Sequence, residues 1–259
     1  MKKIKLILTL LTFTLMFFFI DFPIFNLTLS NKKPLLNFYG IMGYSPSGES
    51  MLSLVFWGCW QTLLIAILAR IFAITFTMIG TFLSFQHDIF KKIITILSEA
   101  FITLPSILIA VALGFSLGSG NLAIVLAIGT SEWAMNQKWH LSRLTEYQSF
   151  DFIRYSKLLN ASHFFIFKNH LTPYLKRDTV MLFFLYMPGS ILTVAALEFL
   201  GLSSYSGVNG LGFQIAAYKD FIFVTPHVIV FPLLVLVGIV FLLSLLKQKV
   251  EKIIDREMI

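Results

Sequence analysis

Residues 51–87 read MLSLVFWGCWQTLLIAILARIFAITFTMIGTFLSFQH, and Arg70 is the one Asp, Glu, Lys or Arg among them. Such charges are expensive at the centre of a bilayer, so a run this long with one charge marks a spanning helix, for which about 20 apolar residues suffice. Residues 6–20, 100–131, 179–197 and 221–246 are uncharged as well. The run 100–131 is too long for one span. Gly114, Gly118, Ser119 and Gly120 punctuate it and divide it in two. The reading is an all-α membrane protein with six transmembrane helices, at about 5–22, 60–84, 93–117, 121–138, 179–200 and 226–246.

Composition agrees. Apolar residues make up 57% of the 259-residue chain and charged residues 13%, with a mean hydropathy of +0.84. A soluble domain of this size has no core large enough for that much apolar surface. The 28 Phe exclude a disordered chain. Cys59 is the single cysteine, which excludes a disulfide scaffold and a cysteine-based metal cluster. Met1-Lys2-Lys3 ahead of the first apolar run has the form of a signal peptide, but Asp21-Phe22-Pro23 follows in place of a small-residue cleavage site, so the expectation is an uncleaved anchor.

Lys and Arg set the orientation. With the N-terminus inside, 16 of the 20 fall in cytoplasmic segments and three (Lys32, Lys33 and Lys219) outside, while Arg70 lies in a span. Both termini are therefore expected in the cytoplasm, and the net charge of +7 needs no nucleic acid to explain it. The expected organisation is 1–59 as anchor helix, extracytoplasmic loop and interfacial lead-in, 60–246 as the membrane domain with a cytoplasmic loop at 139–178, and 247–259 as a cytoplasmic tail.

That cytoplasmic loop is long for a compact protein, and long loops are usually functional. Phe152, Tyr155 and Leu159 share one helical face, with Phe150, Ile153 and Leu158 on its edge. Asn160 tolerates the left-handed conformation that ends helices. Ser162 is placed to cap a second short helix, which Thr172-Pro173 is expected to stop. Helix, turn, helix suits either an interfacial pair dipping into headgroups or a docking element for a cytoplasmic partner.

The stretch Phe152-Ile153-Arg154-Tyr155-Ser156-Lys157-Leu158-Leu159-Asn160-Ala161-Ser162, continuing to His170-Leu171-Thr172-Pro173, resembles the EAA loop of binding-protein-dependent ABC importer permeases. It is most similar to the C-type subunit of the dipeptide/oligopeptide/nickel group. Gly43-Tyr44-Ser45-Pro46-Ser47-Gly48-Glu49, Glu99 with Leu104-Pro105-Ser106, and Glu198-Phe199-Leu200-Gly201-Leu202 resemble further segments of that group in the same order. The chain departs from the pattern where Arg154, Tyr155, Ser156 and Asn160 stand for the family's Glu, two Ala and Gly.

The resemblance implies a type I ABC importer permease fold in a bacterial cytoplasmic membrane. It also implies a second homologous permease subunit, two cytoplasmic ABC ATPases and an extracytoplasmic substrate-binding protein. The cargo would be a short peptide, a nickel complex or a metal-chelating opine. Phe152, Arg154, Tyr155, Lys157, Leu159, Asn160 and Ala161 would carry the ATPase contact.

Four intramembrane polar residues are candidates for function: Arg70, Glu99, Glu132 and Glu198. Arg70 retains its charge and needs a partner among the three acids, as a structural ion pair or beside the substrate. Pro188 is expected to bend the fifth span, as a static kink or a hinge. The five histidines lack metal-ligand spacing, so neither metal nor cofactor is expected. Cys59 between Trp57 and Trp60 reads as packing at an interface, and the Asn26 and Asn160 sequons as chance. No phosphate-binding Gly-x-x-x-x-Gly-Lys-Ser/Thr loop, Gly-x-Ser-x-Gly elbow or His-Glu-x-x-His occurs. Any ATP hydrolysis then belongs to another chain, and this subunit is not an enzyme. The rival readings are a stand-alone secondary transporter, which calls for internal repeats that are not evident, and a membrane-embedded enzyme, which calls for a convergent polar constellation.

Overall fold

A computed structural model of the chain describes residue 33 and residues 41–118, 120–203 and 209–257, the last seven by backbone alone. The expected anchor helix at 5–22 lies outside the described residues. The described helices are α1 (Met51–Gln86), α2 (Asp88–Thr103), α3 (Ser106–Leu117), α4 (Asn121–Gln148), α5 (Asp151–Leu158), α6 (His163–Ile166), α7 (Thr172–Phe199), α8 (Leu211–Tyr218) and α9 (His227–Glu257). A π-helical turn, Phe167–Leu171, joins α6 to α7.

Three helices among the described residues are long and apolar enough to cross a membrane: Met51–Gln86, His163–Phe199 and His227–Val250. The pair α2 and α3 qualifies only together, bent by 98°. One unbroken helix over about 93–117 was expected, and the structure corrects it to two. Proline crowds the residue before it out of the helical region. Leu104, ahead of Pro105, is extended at φ −97°, ψ 138°, and the helix breaks there.

Two further boundaries move. The helix expected at 121–138 continues to Gln148, and the one expected from 179 is continuous back to His163. Thr172-Pro173 does not stop the second loop helix. The Thr172 N–H bonds to the Phe167 carbonyl five residues back, and the Thr172 hydroxyl donates to the same oxygen at 2.7 Å. This wide turn takes up the proline that a regular helix accommodates poorly. Ile166, Phe167, Leu171 and Leu175 are buried through the junction, and that burial favours continuation.

The chain divides into two compact units. The first joins residues up to 62 to residues 205–237. Its opening loop turns on Gly43 and Gly48, at φ 81° and 82°, where only glycine sits without strain. Ser45 N–H bonds to the Glu49 carbonyl, and Tyr44 bridges to Ser50. Gln214 of α8 donates to the Leu54 carbonyl at 2.6 Å. It passes where a side chain at Gly58 would collide with it.

The second unit joins residues 63–204 to the chain from 238. Helix α4 is its centre and packs on α2, α3 and α7. Small residues allow the close approach: Gly129 lies against Phe72 and the Ala69 carbonyl of α1. Because α4 is covered on several sides, its polar residues Asn136, Gln137 and His140 are buried in protein.

Candidate functional site

The first site is an ion pair within the second unit. Arg70 of α1 is 0% exposed. Its Nη1 donates to Glu132 Oε2 of α4 at 3.0 Å. Its Nη2 donates to the Leu182 carbonyl of α7 at 3.0 Å and to Asn136 Oδ1 at 3.4 Å. The Tyr186 ring lies 5.4 Å from the guanidinium carbon, a favourable cation–π distance. The same Glu132 oxygen accepts from Ser190 Oγ at 2.8 Å. Three helices are thus tied at one depth by a charge that cannot be discharged.

Of the three candidate acids, the structure brings Glu132 to Arg70 and neither of the others. Glu99 is exposed on α2, and Glu198 is buried near the end of α7. Asn136, Ser190 and Tyr186 were missed by the sequence reading. The available signal was the four-residue spacing of Glu132, Asn136 and His140, which puts polar groups on one face of α4. That face continues inward: His140 lies 3.4 Å from both Thr81 and Thr179, and Gln137 donates to Thr81. Beside the pair, a cavity of about 370 Å³ opens between α2–α3, α4 and α7, lined by Glu132 together with Phe101, Leu104 and Met135.

The second site is the loop hairpin. Helix α5 runs to Leu158, and Asn160 follows at φ 58°, the one non-glycine residue with positive φ among those described. Asn160 N–H bonds to the Lys157 carbonyl and Ala161 N–H to the Ser156 carbonyl. These are the two reversing bonds of a Schellman cap. Ser162 then accepts from Phe165 N–H at 3.2 Å and opens α6. A glycine at 160 would hold the turn without a Cβ penalty, so Asn160→Gly is expected to leave hairpin stability unchanged or raised. Asn160→Ile should cost roughly 1–2 kcal/mol. Amide hydrogen exchange over 151–166 reads both, and an Ile variant protected like wild type would contradict the turn.

The hairpin is anchored on one side and open on the other. Ile153 enters a core with Phe85 of α1, Leu144 and Tyr147 of α4, and Ile166, Phe167, Leu171 and Leu175. Ala161 packs against that core. Beneath it, Tyr147 Oη donates to Asp178 Oδ2 at 2.7 Å and Arg143 approaches the same oxygen at 3.8 Å, linking α4 to α7. Burial, then the bond to Asp178, pushes the Tyr147 phenol well above its ordinary value. On the open side Tyr155 is 64% and Leu159 82% exposed. Phe152, at 38%, is partly covered by Tyr174, which stacks on it at 6.0 Å. Arg154 is exposed and 3.9 Å from Asp151, and the Lys157 ammonium lies 5.6 Å from the Phe85 ring centre.

Residues 76–259 match the family described as the binding-protein-dependent transport system inner membrane component. The chain belongs to that family. It is 24% identical over 196 residues to a glutathione transport system permease protein, GsiD, of Pectobacterium atrosepticum, covering 74% of this chain and 65% of the relative. Proteins of the same name from Shigella dysenteriae and Escherichia coli O157:H7 are 24% identical over 164 residues, 63% of this chain and 54% of theirs. The chain thus spans between about half and two thirds of the length of these relatives. Membership, with the apolar helices, makes this an integral multi-pass membrane protein. Both sites lie largely inside the matched region, with Arg70 just ahead of it.

Proposed function

We propose that the chain is one of two permease subunits of an ABC importer, forming half of a translocation pathway for a small peptide. The family match over residues 76–259 carries this reading, and the names of the relatives, glutathione permeases, favour peptide cargo over nickel complexes or opines. Residues 60–246 form the permease domain, crossing a bacterial cytoplasmic membrane with both termini inside and six spans counting the apolar run near the N-terminus. The hairpin of α5 and α6 is the ATPase-coupling element. Phe152, Tyr155 and Leu159 enter a groove of the ATPase, Arg154 and Lys157 sit at its rim, and Asn160 and Ala161 shape the turn. Two ATPases hydrolyse ATP and an extracytoplasmic binding protein delivers cargo. Closure of the ATPases moves the hairpin, and the hairpin moves α4 and α7 as rigid elements in an alternating-access cycle. Apolar side chains this exposed call for cover by a partner or by lipid.

Reporter fusions at residues 35, 90, 160 and 215 are expected to read outside, inside, inside and outside. Affinity purification of the tagged chain from its own membranes is expected to bring down an ABC ATPase and a second permease. An extracytoplasmic signal at 160, or purification of the chain without an ATPase, would overturn the reading.

A further inference from the structure

We propose that the cavity beside the ion pair is a cargo subsite for a primary ammonium group, with the Glu132 carboxylate as its counter-ion. The inference rests on the reading of the chain as half of a translocation pathway and names the chemistry that its wall selects.

The argument is an inventory of donors and acceptors. Glu132 uses only Oε2, which accepts from Arg70 and Ser190. No donor among the described residues reaches its Oε1, and of the two partners, which both line the cavity, it is the one with exposed surface, 14% against 0% for Arg70. Arg70 is fully enclosed: Nη1 and Nη2 are committed to Glu132, Asn136 and Leu182, its face is covered by Tyr186, and its Nε, which has no partner, is buried. Two of the hydroxyls in the wall are spent as donors as well. Ser131 Oγ donates to the Ile128 carbonyl at 2.9 Å, and Thr193 Oγ1 to the Gly189 carbonyl at 3.1 Å. These two therefore turn only lone pairs toward the cavity, while the hydroxyls of Ser106 and Tyr186, also in the wall, accept as well as donate.

The wall thus offers a cation three acceptors, a carboxylate oxygen of Glu132 and the hydroxyls of Ser131 and Thr193, and the carboxylate is the charged group with exposed surface there. An ammonium group supplies three donors and a positive charge. Phe101, Leu104 and Met135 complete the wall and suit the carbon skeleton that carries the amine. At about 370 Å³ the volume lies at the small end of ligand sites, right for an amino-terminal residue or a short peptide. Leu104 belongs to the break between α2 and α3, so a change of the 98° bend reshapes the cavity. That geometry lets the subsite open and close as the helices move.

Gly189 lines the cavity, and a side chain there meets nothing within 4 Å, so Gly189→Cys in a Cys59→Ser background is a fitting reporter. The full chain in nanodiscs is treated with the neutral thiol reagent methyl methanethiosulfonate, with dialanine or N-acetyl-dialanine as protectant. Dialanine should slow modification, and N-acetyl-dialanine should need at least ~10-fold higher concentration for the same protection, as loss of a contact charge pair in a partly dry site predicts. In the Arg70→Met/Glu132→Gln background the difference should vanish. Equal protection by both compounds, no protection by either, or a difference that survives the double substitution would each overturn the subsite. The assay involves no ATPase, so an absent ATPase would sink the importer reading and leave this result standing, and the reverse holds too.

Discussion

Glu132→Gln is expected to destabilise the purified chain by roughly 3–5 kcal/mol, the range for breaking a buried ion pair from one side, and Arg70→Met by clearly less. The asymmetry follows from what each change leaves behind. Without the carboxylate, a guanidinium that is 0% exposed keeps its charge with the Leu182 carbonyl, Asn136 Oδ1, the Tyr186 ring and a neutral amide around it, and no anion. Without the guanidinium, Glu132 retains the Ser190 hydroxyl at 2.8 Å and an edge on the cavity, where a proton or water reaches it. The double variant Arg70→Met/Glu132→Gln should regain much of the loss, because no charge is then stranded. Denaturant or thermal unfolding in detergent measures all three. Additive losses in the double variant, or a harsher Arg70→Met, would show that the pair is not what ties α1, α4 and α7 together.

Tyr155→Ala/Leu159→Ala is expected to weaken capture of the ATPase by at least 30-fold, from about 2 kcal/mol or more for a central aromatic anchor. These two side chains point away from the chain's own core, so truncating them spares the fold. Phe152 differs. It stacks on Tyr174 and lies against Phe150 and His170, so Phe152→Ala removes internal packing along with any partner contact. Arg154→Ala and Lys157→Ala should cost less, since rim charges in solvent contribute little. Pull-down of the ATPase by variants that insert at wild-type levels gives the comparison. Undiminished capture by the double variant would assign the exposed face to the lipid surface, and binding to vesicles of anionic lipid would then carry the effect.

Several features were legible in the sequence because they depend on neighbours along the chain. Uncharged runs marked the three described helices that are long and apolar enough to cross a membrane. The helix, turn, helix of residues 150–166 followed from periodicity and from the turn chemistry of Asn160 and the cap of Ser162. Other readings failed where a local rule met a stronger tertiary term. Pro173 was expected to end a helix, but burial of Leu171 and Leu175 in the core under the hairpin outweighs that local preference. Leu104-Pro105, read as a family motif, is also where the chain breaks between α2 and α3.

Sequence alone marked Arg70 as the one charge in a long apolar run and in need of an acidic partner, since a permanent charge inside such a run is recognisable without coordinates. Only the tertiary structure decided among Glu99, Glu132 and Glu198, because depth and azimuth in a bundle follow from how helices pack. Periodicity likewise gave Phe152, Ile153 and Tyr155 as neighbouring apolar positions on one short helix. Packing of that helix on Phe85, Leu144 and Phe167 made Ile153 the internal anchor and left Tyr155 outside. The helical pattern states which residues share a face, and only the surface that the face meets states which of them are buried.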